Sequence, residues 1–144
     1  MAAMATARTD QLDKLRSIPL FAELSDGALD RILECAADFD AAPGHLLVES
    51  NQPGAGLSVI EDGTVEVELP HRSVQLGPGE FFGELALLDE DATHVARVQA
   101  LTPVRGLALR RDDFDRLLEA EPRFAISMLK VLARRLAAAA RVTQ

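Results

Sequence analysis

Residues 79–88 read GEFFGELALL, and this stretch decides the fold class. A turn-rich region gives way here to Gly-Glu and then to alternating small and large apolar residues. Gly83 lets the backbone approach a ligand closely, because glycine has no Cβ. If residues 84–88 form one helical turn, the N–H groups at its start converge into an anion site. Glu84 would be unusual beside a phosphate alone, but its carboxylate can accept a hydrogen bond from a sugar hydroxyl.

Short strand-like runs separated by turn residues lie on both sides of this stretch. In residues 64–69, Val65, Val67 and Leu69 alternate with polar residues, which predicts a half-buried strand. Asp62-Gly63, just before it, is a hairpin signal and predicts that residues 57–60 pair with residues 64–69. The other predicted strands are residues 46–48, 73–76, 95–100 and 104–109.

Helical patterns occupy the two ends of the chain. Residues 9–17 predict a short helix with Thr9 or Asp10 as its N-cap, and Ser25 with Asp26 predicts the start of a second helix. A third helix is expected from Arg111 and a fourth from Pro122. We therefore predict an α+β fold, an antiparallel β-roll of about eight short strands resembling a double-stranded jelly roll. The predicted single domain, 1–144, has helices in 1–36, a roll in 38–110 with its key segment at 79–95, and helices in 111–144.

Composition narrows the class of protein. The chain has 144 residues, 48% of them hydrophobic, and a net charge of −8, with +4 carried from Pro103 onward and −12 before it. An acidic body repels phosphate backbones, so autonomous nucleic-acid binding is not expected. No apolar run reaches the ~18 residues that a bilayer requires, and no secretory signal is visible. Cys35 has no internal disulfide partner and is read as a small helix residue. These features predict a cytoplasmic domain without membrane contact.

Three sequence features together resemble the cyclic-nucleotide-binding domain family, in particular its sensor domains of the catabolite activator (Crp/Fnr) type. They are residues 18–25 (IPLFAELS), the spaced glycines at 44, 54, 63 and 79, and above all residues 82–88 (FGELALL), which resemble the family's phosphate-binding cassette. The resemblance implies a regulatory domain that binds cyclic AMP or cyclic GMP. It implies that Glu84 accepts from the ribose 2′-hydroxyl, and that the backbone amides of Gly83, Leu85 and Ala86 line the phosphate and sugar pocket.

The sequence departs from the family after the cassette. His94 stands where the family has the arginine that pairs with the phosphate, and Val95 stands where it has a small residue. Histidine has an ordinary pKa of about 6.5, so roughly a quarter of such side chains are charged at pH 7. Arg97 is expected to point to the opposite strand face from His94 and therefore not to replace the arginine, unless the strand slips by one residue or is bulged.

The last helix also departs from the family pattern. In the family, the last helix covers the bound base, and in the catabolite activator type this helix supplies hydroxyls to the base. The aligned positions in this sequence are Ala139 and Ala140.

Two functions follow from these residues. The first is a non-catalytic sensor module that binds a cyclic nucleotide or a related small anion weakly at Gly83, Glu84, Leu85, Ala86, His94 and Val95. The second is a degenerate domain that has lost the ligand and serves protein–protein contact, with a homodimer through the last helix. An enzyme is not expected: the three histidines lack paired spacing for a metal, and no nucleophile motif or enzymatic cofactor signature is present. No helix-turn-helix follows the predicted last helix, so autonomous DNA binding is not expected.

Overall fold

The computed structural model describes residues 2–48, 56–83 and 97–143, and the side chains of 9–48, 56–83 and 97–141. Its helices are α1 (Ala2–Arg16), a short 3₁₀ helix (Pro19–Phe21), α2 (Asp26–Cys35), α3 (Arg111–Ala120) and α4 (Pro122–Thr143). Its strands are β1 (Ala37–Ala41), β2 (Leu46–Val48), β3 (Gly56–Asp62), β4 (Val65–Glu68), β5 (Ser73–Leu76), β6 (Phe81–Phe82), β7 (Arg97–Ala100) and β8 (Val104–Arg110).

The described strands form two four-stranded antiparallel sheets. Sheet A has the order β1-β8-β3-β6, and sheet B has the order β2-β7-β4-β5. The pairs β1–β8, β2–β7, β3–β6 and β4–β5 nest inside one another along the chain, as in a jelly roll. The predicted α+β fold with an antiparallel β-roll and flanking helices is confirmed.

The predicted hairpin at Asp62-Gly63 is wrong. β3 lies in sheet A and β4 in sheet B, so this turn carries the chain from one sheet to the other. Gly63 is needed for packing at that crossing: its φ is +94°, and a Cβ there would lie 2.2 Å from the carbonyl oxygen of Pro103. The observed hairpin joins β4 to β5, and within it the amide of Leu69 donates to the carbonyl of Arg72 at 2.8 Å. A local turn signal cannot tell a hairpin from a crossing, because both need a positive φ.

The predicted helix boundaries hold in part. The Ser25 hydroxyl accepts from the Ala28 amide at 3.2 Å and caps α2, as expected. Pro122 begins α4. α1 begins at Ala2, so neither Thr9 nor Asp10 is its N-cap. The short strands β1 and β6 were not predicted.

Two apolar cores lie on the two faces of sheet A. On its outer face, side chains of β3, β6 and β8 pack against the helices, where Phe124 stacks on Phe21 at 6.2 Å between ring centroids and meets Phe114 edge-on at 5.9 Å. Between the sheets, smaller side chains fill the roll. This interior core contains Ala41, Ile60, Val65, Val67, Phe82, Val98, Ala100 and Val104. The described layers are therefore helices, sheet A and sheet B, with the polar residues of sheet B facing outward.

The roll has two different ends. At the end that we call the closed end, four connections cross between the sheets: 42–45, 63–64, 77–80 and 101–103. Backbone hydrogen bonds link them to each other and to neighbouring strands: Leu101 donates to Thr64 at 2.9 Å, Gly44 donates to Ala100 at 2.7 Å, and Gly79 donates to Ile60 at 2.8 Å. At the opposite end, the loop end, the chain leaves β2 for residues 49–55 and leaves β6 for residues 83–96.

Candidate functional site

Gly83 marks the start of the candidate site at the loop end. Its φ is +97°, and a Cβ would lie 2.6 Å from the carbonyl oxygen of Gly56. Only glycine fits this combination of left-handed backbone and close backbone approach. The observed close approach is to the protein's own backbone at Gly56, and the predicted approach to a ligand stays a prediction.

A second contact anchors the loop end from sheet B. β2 pairs with β7, and Val48 lies opposite Val98 in their register. In the described residues, the chain leaves sheet B at Val48, beside Val98, and enters sheet A at Gly56, beside Gly83. In each sheet, the strands that flank the two connections of the loop end are therefore neighbours, β2 beside β7 and β3 beside β6.

Five of the six predicted ligand-binding residues lie outside the described residues. They are Glu84, Leu85, Ala86, His94 and Val95. Their assignment to a ligand stays a prediction, and Gly83 is the described member of the set.

β6 connects the start of the site to both cores. Phe81 faces the helices and is 1% exposed, while Phe82 faces the roll interior and is 5% exposed. These adjacent side chains point to opposite faces, as a strand requires. Gly83 therefore directly follows a strand whose two side chains are packed in different cores.

Arg97 lies on the outer face of sheet B. It is exposed, whereas the next residue, Val98, is 3% exposed and faces the interior core. The Arg97 guanidinium lies 3.8 Å from a carboxylate oxygen of Glu68 on the neighbouring strand. Arg97 therefore points away from the interior of the roll, and the expectation that it does not replace the family arginine stays a prediction.

Arg135 on α4 is a residue near the site that the sequence did not single out. Its guanidinium donates to the carbonyl oxygen of Phe81 at 2.6 Å and lies 4.4 Å from the centroid of the Phe81 ring. Sequence reasoning pointed instead to Ala139 and Ala140 on the same helix. Nothing in the local sequence separates Arg135 from its neighbour Arg134, and only the position of the helix against β6 does so.

The described residues contain no group of three or more histidine, cysteine, aspartate or glutamate side chains that could hold a metal ion. No helix among the same residues is long and apolar enough to cross a bilayer.

A cleft of about 580 Å³ lies between α2 and α3, with Ile32, Cys35 and Leu117 in its lining. Burial raises the pKa of the Cys35 thiol, and the nearby Asp113 carboxylate raises it further. The thiol is thus held in its protonated, less nucleophilic form.

Comparison with known proteins identifies the family. The family profile of the cyclic nucleotide-binding domain matches residues 39–121, from β1 to the end of α3. The chain belongs to the cyclic nucleotide-binding domain family. Its fold resembles the crystal structure of the Thermus thermophilus catabolite activator protein, with a TM-score of 0.73 and 29% identity over 87% of this chain and 61% of that one.

Curated relatives agree with this assignment. A cyclic nucleotide-gated potassium channel of Mesorhizobium japonicum is 33% identical over 86% of this chain and 34% of its own length. A cAMP-dependent protein kinase regulatory subunit of Aspergillus fumigatus is 36% identical over 72% of this chain and 26% of its own length. The chain thus spans about a third or less of these proteins. The family is a regulatory one whose members are typically non-catalytic, although a glutaminase of Bradyrhizobium diazoefficiens also matches.

Proposed function

We propose that residues 1–144 form one cytoplasmic regulatory domain that binds a cyclic nucleotide, or a related small anion, at the loop end of the roll. The observation that carries this proposal is Gly83, with its left-handed φ and its approach to Gly56 at the start of the cassette-like segment. Glu84 accepts from the ribose 2′-hydroxyl, and the backbone amides of Gly83, Leu85 and Ala86 hold the phosphate and sugar. The domain performs no chemistry itself, because its output is a change of conformation.

His94 makes the binding weak and dependent on pH. Arginine offers a permanent charge and a fixed fork of donors, whereas a neutral imidazole offers one N–H. Losing one charge-assisted hydrogen bond to a ligand lowers affinity by roughly ten- to hundredfold. Val95 adds no donor. Protonation of His94 favours an anion, so the affinity should be higher at pH 6 than at pH 8.

Calorimetric titration with cyclic AMP and cyclic GMP at pH 6 and pH 8 tests this proposal. We expect binding that weakens as the pH rises, and a His94→Arg variant that binds about tenfold or more tightly with little pH dependence. His45→Arg is the matched control, since His45 is exposed at the closed end and gains the same charge. No heat and no thermal shift up to millimolar nucleotide, with the wild type and with His94→Arg, would overturn the proposal.

A second function, homodimerisation, is favoured by the exposed face of α4. Five apolar residues follow one another at spacings of 3, 4, 3 and 4 along the helix, which is the spacing of a coiled-coil seam. This seam consists of Ile126, Leu129, Ala133, Leu136 and Ala140. All five are exposed, and Leu129 and Leu136 are 65% and 72% exposed. A second copy of the same helix has the matching pattern and would cover the seam.

Analytical ultracentrifugation tests the dimer. We expect the wild type to dimerise and Leu136→Glu to shift the equilibrium to monomer. Ala138→Glu adds the same charge at an exposed position of α4 off the seam and should leave the dimer intact. A wild type that sediments as a monomer at high concentration would rule out this function. A dimer that binds no nucleotide would favour the degenerate, interaction-only domain over the sensor.

A further inference from the structure

The last helix is held to the rest of the protein in two different ways. Its first turns are fixed by burial, because Phe124 is fully buried and Met128 is 2% exposed in the helix-side core. Two turns beyond Met128, Arg135 makes a polar contact with β6 instead.

Arg135 contacts Phe81 at two points. The guanidinium donates to the backbone carbonyl at 2.6 Å and lies over the aromatic ring at 4.4 Å. Phe81 is 1% exposed, so its ring face is largely shielded from water. Cation–π contacts are stronger where water is excluded. Arg135 contacts both the backbone and the side chain of Phe81. A change in the position or the direction of β6 therefore alters at least one of these contacts.

The carbonyl of Phe81 is available because β6 lies at the edge of sheet A. On the β3 side, Ile60 donates to the carbonyl of Glu80 at 2.8 Å. Backbone groups alternate in direction along a strand, so the next carbonyl, that of Phe81, points away from β3. The Arg135 guanidinium lies at that edge and donates to this carbonyl. Phe81 precedes Gly83 by two residues in the sequence.

We propose that Arg135 is the positioning residue that couples the loop-end site to the second half of α4. The part of this inference that concerns a ligand rests on the proposed function. The link between β6 and α4 does not depend on it. A shift of Gly83 moves β6, and β6 carries both contacts to Arg135. By thermodynamic reciprocity, weakening the contact at α4 changes the site by the same coupling factor.

Hydrogen exchange of the full chain, with and without saturating cyclic AMP, provides the test. Without ligand, we expect Arg135→Gln to speed exchange in residues 131–141 by about tenfold or more, since both contacts are lost. Arg135→Lys keeps the charge but not the planar fork and should give a smaller change. Arg134→Gln is the matched control, because Arg134 is exposed on the same helix. In Arg135→Gln, ligand should still bind but should no longer alter exchange in residues 131–141.

A ligand-independent cycle separates this proposal from the proposed function. Phe82→Leu disturbs β6 from the roll interior without touching Arg135, and Gly83→Ala disturbs it from the site. Introduced alone, each substitution should change the exchange rate in residues 131–141 by several-fold relative to the wild type. Introduced into Arg135→Gln, the same substitution should change this rate by much less. Independent effects in the double variants, or equal exchange in Arg135→Gln and Arg134→Gln, would overturn the coupling role. Failure of the wild type to bind nucleotide would overturn the proposed function and leave this cycle to decide the coupling.

Discussion

The two ends of the roll use the same backbone device for different purposes. Gly63 at the closed end and Gly83 at the loop end have nearly equal φ angles, +94° and +97°, and a Cβ at either position would clash with a backbone carbonyl oxygen, at 2.2 Å and 2.6 Å. At the closed end, the crossing is bonded to the 101–103 turn, because the Leu101 amide donates to the Thr64 carbonyl and the Thr64 amide donates to the Thr102 hydroxyl. At the loop end, the glycine leads into the segment that resembles a binding cassette. The comparison teaches that a left-handed glycine identifies a close approach, and that its neighbours decide whether the approach serves stability or binding.

The largest effect is expected at the closed end. Gly63→Ala would place a Cβ 2.2 Å from the Pro103 oxygen and 2.9 Å from Val104 Cα, in addition to the unfavourable φ. We expect a loss of about 2–4 kcal/mol in the free energy of unfolding, measured by urea denaturation. Gly77→Ala is the control, since a Cβ there would meet nothing within 4 Å. A loss no larger than that of the control would show that the close approach at Gly63 does not matter for stability.

We expect Gly83→Ala to destabilise the fold less than Gly63→Ala does, but to weaken nucleotide binding. Its Cβ would lie 2.6 Å from the Gly56 oxygen, and the next atoms, the Gly56 carbonyl carbon and Leu57 Cα, would lie at 3.7 and 3.9 Å. We expect about 1–3 kcal/mol of destabilisation from urea denaturation, and a loss of cyclic nucleotide binding of about tenfold or more by calorimetry. Unchanged affinity in the folded variant would remove Gly83 from the site and would erase the contrast between the two ends.

Thr102→Val tests the hydrogen bonds of the closed end alone. The Thr102 hydroxyl accepts from the Thr64 amide at 2.9 Å. Its loss should cost about 0.5–1.5 kcal/mol in urea denaturation and should leave nucleotide affinity unchanged. Thr64→Val keeps the backbone donor and serves as the control. A change of affinity in Thr102→Val would mean that the two ends are not independent.

The smallest effect concerns chemistry rather than stability, at Cys35. Because burial and Asp113 raise the pKa of this thiol, alkylation by iodoacetamide should be slow near pH 8. The rate should rise only above the pH at which a peptide thiol already reacts. Asp113→Asn should shift this rate profile to lower pH. A wild-type profile equal to that of a peptide thiol would show that the cleft does not shield Cys35.

Much of the fold could be predicted from residue patterns, and the failures have physical causes. Alternation at Val65 and Val67 identified a strand, because one face of it is buried in the roll. The turn at Asp62-Gly63 was assigned to the wrong connection, since a crossing between sheets depends on Pro103, which is 40 residues away in the sequence. β6 was missed because two residues carry no periodicity.

The site divides in a similar way. Gly83 was singled out because a family motif and a backbone requirement coincide there, and its contact with a ligand stays a prediction. Arg135 was not, because its partner Phe81 lies 54 positions away and only the packing of α4 on sheet A brings them together. A restricted backbone conformation, as at Gly83, leaves a local sequence signal, whereas a contact between residues far apart in the sequence, as at Arg135, does not.

The one-sided layering has a practical consequence. Among the described residues, the helices pack on sheet A, and the outward face of sheet B has polar side chains such as Glu66, Ser73, Gln75 and Gln99. Ser73 and Gln75 are exposed at the edge strand of that sheet, far from α4 in the order of the layers. A cysteine introduced at Gln75 in a Cys35→Ser background would therefore carry a fluorophore or a surface tether on a face that no described helix covers.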